Sequence, residues 1–174
     1  IVVCWIVGRT MAAGKLSKGM TVAALIVLIA AYSARTIIRN FDWKTHASIW
    51  RATAKVSPLS PKVHNNMGDV YCREGNLPKA IEEFRRAIQI KPDYADAYHN
   101  LAHTYQQIGR VDEAIRNYEK AVATNPGLWQ SYENLGVIYF NQGLKGLAKE
   151  YLIKAQRAAP ENQDIKKLLE KLVY

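Results

Sequence analysis

The chain of 174 residues predicts an all-α solenoid of stacked helical hairpins, three full repeats with a degenerate half repeat before them and a capping helix after them, preceded by a transmembrane helix. Three observations predict it. Pro58, Pro92, Pro126 and Pro160 stand 34 residues apart each time. Aligned on those prolines, small and aromatic residues fall into register three times over. A single uncharged run, Gly19 to Ala34, precedes all of this.

The prolines delimit units at 61–94, 95–128 and 129–162. Their first halves match as His64, Met67, Gly68, Tyr71, then Tyr98, Leu101, Ala102, Tyr105, then Tyr132, Leu135, Gly136, Tyr139. Their second halves match as Ala80, Phe84, Ala87, then Ala114, Tyr118, Ala121, then Ala148, Leu152, Ala155. Apolar residues at helical spacing give each unit two amphipathic helices. Gly75, Gly109 and Gly143 sit in the turns "EGN", "IGR" and "QGL", where a left-handed backbone costs glycine little. One hairpin cannot bury its own apolar face, so the stack must be continuous. After Pro160, residues 163–174 place Ile165, Leu168, Leu169 and Leu172 on one side and lysines opposite, the pattern of a terminal cap.

Residues 1–40 hold five basic residues, Arg9, Lys15, Lys18, Arg35 and Arg39, and no acid, leaving 19 basic against 15 acidic residues beyond them. The predicted domains therefore read 1–40 membrane segment, with the tail of one span, a basic loop and a span at about 20–38; then 41–60 connector, 61–162 repeats and 163–174 cap. The uncharged run of 16 residues reaches spanning length only if Arg35 snorkels to the headgroups. A signal peptide starting at Met11 and a buried core helix are the alternatives. The basic residues before the run place that side in the cytoplasm and the repeats on the extracytoplasmic side. Within the connector, Trp50 takes the register place of Phe84 and Thr53 that of Ala87, and Asp42 is placed to cap a helix over 43–56.

The 34-residue signature, an aromatic or His, then a large apolar residue, then a small one, then Tyr, followed by Ala, an aromatic and Pro, resembles the tetratricopeptide repeat in all three units. The departures are His64 and two tyrosines for Trp, and Leu152 for Phe. The junction Arg39-Asn40, Trp43, Trp50, Pro58 and "VHNNMG" is similar to that of the transmembrane tetratricopeptide-repeat O-mannosyltransferase-like proteins. That resemblance implies repeats exposed on the non-cytoplasmic side after a multi-pass glycosyltransferase domain, whose catalytic acids match no position here.

The first helix of each unit is expected to line the concave face. One element recurs there, Asn66, Asn100 and Asn134, each two residues before the small residue of the signature. An amide both donates and accepts, so it can pair with a peptide unit without reading its side chain. This is similar to the asparagine ladder of O-linked N-acetylglucosamine transferase, which implies an extended peptide as ligand. Asn65, Asp69, His99, His103 and Gln130 complete the expected peptide-binding groove. In the chaperone-tail-binding subclass, basic residues grip a carboxylate; Asn65, Gln130 and Asn134 stand in their places here, so that ligand is disfavoured.

The remaining motifs point away from chemistry. His99 and His103, four apart, share a helix face but lack a third ligand at fixed spacing, so no metal site is expected. "GRTMAAGKL" has five residues between its glycines where a phosphate loop needs four, and Leu16 where a hydroxyl should stand. Cys4 and Cys72 exclude a disulfide scaffold. No basic face interleaved with stacking aromatics marks a nucleic-acid binder. No residue pattern points to a cofactor or to catalysis, and nothing fixes an oligomeric state. The sequence thus predicts a membrane-anchored scaffold that binds a protein or peptide, with the substrate-recognition region of a larger glycosyltransferase as the alternative.

Overall fold

The computed structural model describes residues 18–42 and 46–172, all of whose regular structure is helical. The apolar tail at 1–7, Arg9, Lys15 and the connector's Trp43 lie outside the described residues. Among the described residues nine helices run in order: α1 (Lys18–Asp42), α2 (His46–Val56), α3 (Pro61–Arg73), α4 (Leu77–Ile90), α5 (Ala95–Gln107), α6 (Val111–Thr124), α7 (Trp129–Asn141), α8 (Lys145–Ala158) and α9 (Gln163–Lys171). The chain divides into two compact units, 1–49 and 50–174.

In the first unit, α1 corrects the expectation of a membrane span at about 20–38. Among the described residues no helix is long and apolar enough to cross a membrane. The reason lies in the run itself. Its 16 uncharged residues rise about 24 Å at 1.5 Å per residue, short of the roughly 30 Å hydrocarbon core, and Arg35 stands where the missing turn should be. Asp42 is the last residue of α1, and the helix expected over 43–56 is described from His46 to Val56.

In the second unit the helices from α3 onward form three hairpins, α3–α4, α5–α6 and α7–α8. Each helix packs on its neighbours in sequence, α3 also meets α5, and α9 lies on α8. Each hairpin turn has one solution. The amide of the residue after the glycine donates to the carbonyl five residues back, Asn76 to Tyr71 at 2.8 Å, Arg110 to Tyr105 and Leu144 to Tyr139 both at 2.9 Å. This terminator needs a left-handed residue, and Gly75, Gly109 and Gly143 supply φ of 75°, 77° and 77°. Helix starts are signalled less uniformly. Ser60, Asn76 and Asn162 cap α3, α4 and α9 with side-chain oxygens, whereas α5 to α8 have no such cap.

Within each hairpin, a small residue of the first helix faces a large one of the second. Ala80, Phe84, Leu101, Ala102, Tyr105, Ala114, Tyr118, Leu135 and Ile138 form one buried cluster running through the stack. A Cβ added at Gly68 would strike the Phe84 ring, and one at Gly136 would stand 2.6 Å from Leu152 Cγ. Overpacking a filled core costs about 1–3 kcal/mol. Gly136→Ala should therefore lower the urea midpoint of unfolding by an equivalent amount, despite alanine's better helix propensity. An unchanged midpoint would show that the hairpin opens freely at this contact.

Candidate functional site

The first helices α3, α5 and α7 present the residues singled out from the sequence, and the structure treats them differently. Between α3 and α5 lies a groove of about 320 Å³ lined by Asp69, Cys72, Arg73, Phe84, Asn100, His103, Thr104 and Gln107. Three of the predicted residues, Asp69, Asn100 and His103, meet there. Asn100 is held in place by a predicted neighbour, its Nδ2 donating to Asn65 Oδ1 at 3.0 Å across the helix pair. Asn65 itself is buried. Asp69 Oδ2 accepts from Arg73 Nε at 3.0 Å one turn along α3, so the groove wall carries a paired charge.

The other predicted residues do not join this cluster. Asn66 turns its amide back to the Lys62 carbonyl at 2.6 Å. Asn134 is half-buried on α7 with no side-chain hydrogen bond to a described residue, and Gln130 is exposed at the start of that helix. His99 points into the next interface. Its Nδ1 shares a 2.7 Å hydrogen bond with Ser131 Oγ, a fully buried hydroxyl on α7, and its ring meets Tyr118 edge-on. The three asparagines thus share a register without sharing an environment.

Cys72, Thr104 and Phe84 line the groove without having been singled out as groove residues. Thr104 Oγ1 donates to the Asn100 carbonyl at 2.8 Å and lies 3.4 Å from Cys72 Sγ, stitching α5 to α3. Burial pushes the Cys72 thiol above its ordinary pKa, so it packs as a small apolar group. In the repeat register Cys72 is the counterpart of Phe140 on α7. His64, in the Trp place of the signature, gains a polar role that the pattern also misses. Its Nε2 donates to the Pro58 carbonyl at 2.8 Å, and its Nδ1 meets Glu83 Oε2 at 2.6 Å. Among the described residues no cluster of three metal-ligating side chains is present.

Family models described as TPR repeat and Tetratricopeptide repeat match residues 68–109, 95–128 and 130–162, together more than half of the chain. Among curated proteins, the chain is 30% identical over 90 residues to Protein O-mannosyl-transferase Tmtc2 of Drosophila melanogaster, covering 52% of this chain and 9% of that one. It is 36% identical over 69 residues to Protein O-mannosyl-transferase TMTC4 of Mus musculus, covering 39% and 9%. The chain therefore spans under a tenth of the length of the curated relatives it matches. Among solved structures, a crystal structure of MamA protein is 28% identical with a TM-score of 0.57, covering 66% of this chain and 63% of that one. The first TPR of Spaghetti (RPAP3), bound to an HSP90 peptide, is 21% identical with a TM-score of 0.61, covering 66% and 90%, a likeness of fold alone.

The buried setting of His99 has a measurable consequence. Burial, reinforced by nearby His103 and partly opposed by Asp96, lowers its pKa from 6.5 to about 4. The folded chain holds this imidazole neutral while the unfolded chain protonates it. Its contribution to stability is complete above pH 6.5 and is lost progressively as pH falls towards 4, by up to roughly 3 kcal/mol. Denaturant titrations between pH 7 and 4 should show a steeper acid loss for the natural chain than for His99→Gln. Parallel pH profiles for the two would disprove the assignment.

Proposed function

The chain belongs to the tetratricopeptide-repeat family, and we propose on that basis that it is a scaffold whose concave groove binds an extended peptide or protein segment. The observation that carries this reading is Asn100, fixed by Asn65 at the groove between α3 and α5. With Nδ2 engaged by Asn65, the side-chain oxygen Oδ1 of Asn100 remains to accept a ligand N–H, and the second amide hydrogen remains to donate. Phe84 and Cys72 give the same groove an apolar floor, and Asp69, His103, Thr104 and Gln107 give it polar walls. Such a surface suits a peptide, which offers a backbone donor and acceptor at each residue and an apolar group at intervals. Asn66, Asn134 and Gln130 extend the surface along α3 and α7, while His99 acts from behind it by tying α5 to Ser131.

A second reading follows from the curated relatives. The similarity to protein O-mannosyl-transferases covers only the repeats, so the domain serves as the recognition arm of a larger glycosyltransferase, on the non-cytoplasmic side, with chemistry encoded elsewhere. Reading the coding DNA upstream of Ile1 separates the two. A long multi-span sequence with acids in an early external loop supports the arm, and a nearby start codon supports a free-standing scaffold.

The groove itself is tested with ligands selected from a random peptide display library on the natural chain. Asn66→Ala, Asn100→Ala and Asn134→Ala together should weaken those ligands by about tenfold or more. The far-ultraviolet circular dichroism should stay unchanged. Ligands that bind the triple variant as tightly as the natural chain would sink the groove reading.

A further inference from the structure

The third repeat leaves a charged group unspent at a place where the first two repeats engage theirs. Asn65, His99 and Glu133 hold one register place on α3, α5 and α7. Asn65 and His99 each reach the following repeat, Asn65 meeting Asn100 at 3.0 Å and His99 meeting Ser131 at 2.7 Å. Glu133 finds no such partner. In α9 the places of Ser131 and Asn100 are taken by Ile165 and Leu168, neither of which has a polar side-chain atom. Glu133 is half-buried and makes no hydrogen bond or ion pair with a described residue. Burial and the like charge of Asp164 hold its carboxyl above the usual carboxylate range. Lys167 of α9 is itself paired with Asp164 at 3.3 Å.

A half-buried charge without a partner costs a fold free energy, and a glutamine of the same shape would avoid most of that cost. One and two turns further along α7 stand Val137, half-buried, and Phe140, 38% exposed. Helical spacing puts positions 133, 137 and 140 on one face. The places of Val137 and Phe140 are filled by Asp69 and Cys72 in the first repeat and by His103 and Gln106 in the second. Of the three repeats, the third alone sets a carboxylate above an apolar strip. Beside it Asn134 keeps its whole amide free of side-chain hydrogen bonds to described residues.

We propose that this face of α7 selects the ligand by taking a lysine or arginine side chain of the bound segment. The cationic head meets Glu133, the methylene stem lies along Val137 and Phe140, and Asn134 pairs with the adjoining peptide unit. This rests on the reading of the concave face as a peptide-binding surface and adds the chemistry of the peptide. Lysine and arginine are the side chains that join an apolar stem to a positive end. An acidic residue would bring a third negative charge beside Glu133 and Asp164. An apolar one would cover the carboxylate and leave it unpaired, which is costly.

The probe is the same random peptide display library, panned on the natural chain. Its ligands are remade with acetylated amino termini, so that a free amine cannot stand in for a side chain. They are expected to carry a lysine or arginine whose replacement by glutamine weakens binding about tenfold or more, as does Glu133→Gln in the protein. The two losses should not add, because either one breaks the same pair. Glu133→Lys should reverse the preference, favouring ligands with glutamate in place of that basic residue. Glu133→Gln should also melt no lower than the natural chain, since it removes a charge that has no partner. A lower melting temperature would assign Glu133 to the fold and overturn the proposal. So would a Glu133-dependent change in sedimentation, which assigns the carboxylate to a second copy. Ligands that lack a basic residue, or that bind Glu133→Gln unchanged, overturn the proposal and spare the groove reading when the asparagine triple variant still weakens them. Ligands indifferent to that triple variant sink both.

Discussion

The stack depends on one steric pairing, a residue with little or no side chain on the first helix of each hairpin against a large one on the second. Gly68 meets Phe84, Gly136 meets Leu152, and Ala102 with Tyr118 holds the corresponding place between them. Because the two axes can approach there, buried alanines such as Ala80, Ala114 and Ala148 fill the seam without forcing it open. Close approach brings the two helices of a hairpin together along one face only. The opposite face of the first helix is left uncovered, and that residue of packing geometry is what makes a groove.

The seam also explains why polar variation collects at the edges of each repeat. His64, Tyr98 and Tyr132 hold one register place, and Glu83, Asn117 and Tyr151 hold the place opposite. In the first repeat the pair is a 2.6 Å His–Glu contact, and in the third it is two aromatic rings 6.4 Å apart. The seam tolerates either because neither residue sets the helix separation. Likewise Asn65 reaches Asn100 across the first inter-repeat interface, while its counterpart His99 reaches Ser131 across the second. Equivalent positions keep their geometry and change their chemistry, so local function can differ between repeats that fold alike.

Periodicity made the hairpins legible before any coordinates, because a 34-residue repeat demands the same small residue, turn glycine and terminal proline in each unit. Groove residues were legible as a face, which follows from helical spacing, but their individual roles were not. Whether Asn66 looks outward or bonds back to Lys62, and whether His99 faces ligand or Ser131, depends on what stands opposite on another helix. The α1 expectation failed for a different reason. Hydropathy identified an apolar helix, and α1 is helical, but length decides whether such a helix can span, and Arg35 limits the uncharged run.

Several of the groove's polar groups are already engaged with neighbouring groups of the fold, and this shapes how it can bind. Asn100 is bonded to Asn65, Asn66 to Lys62, Asp69 to Arg73 and Thr104 to the Asn100 carbonyl. A ligand entering the groove therefore adds hydrogen bonds through His103 and Gln107, which make no side-chain hydrogen bond to a described residue, and through the unused lone pairs and hydrogens of these amides, or exchanges one internal bond for another. Exchange yields little net free energy, since a protein hydrogen bond is worth about 0.5–1.5 kcal/mol over its hydrated alternative. Selectivity then rests on which side chain fits over Phe84 between α3 and α5, and on any contact made outside the groove. A scaffold of this kind holds its ligand by several modest contacts on rigid helices, each released without disturbing the seam that keeps the hairpins closed.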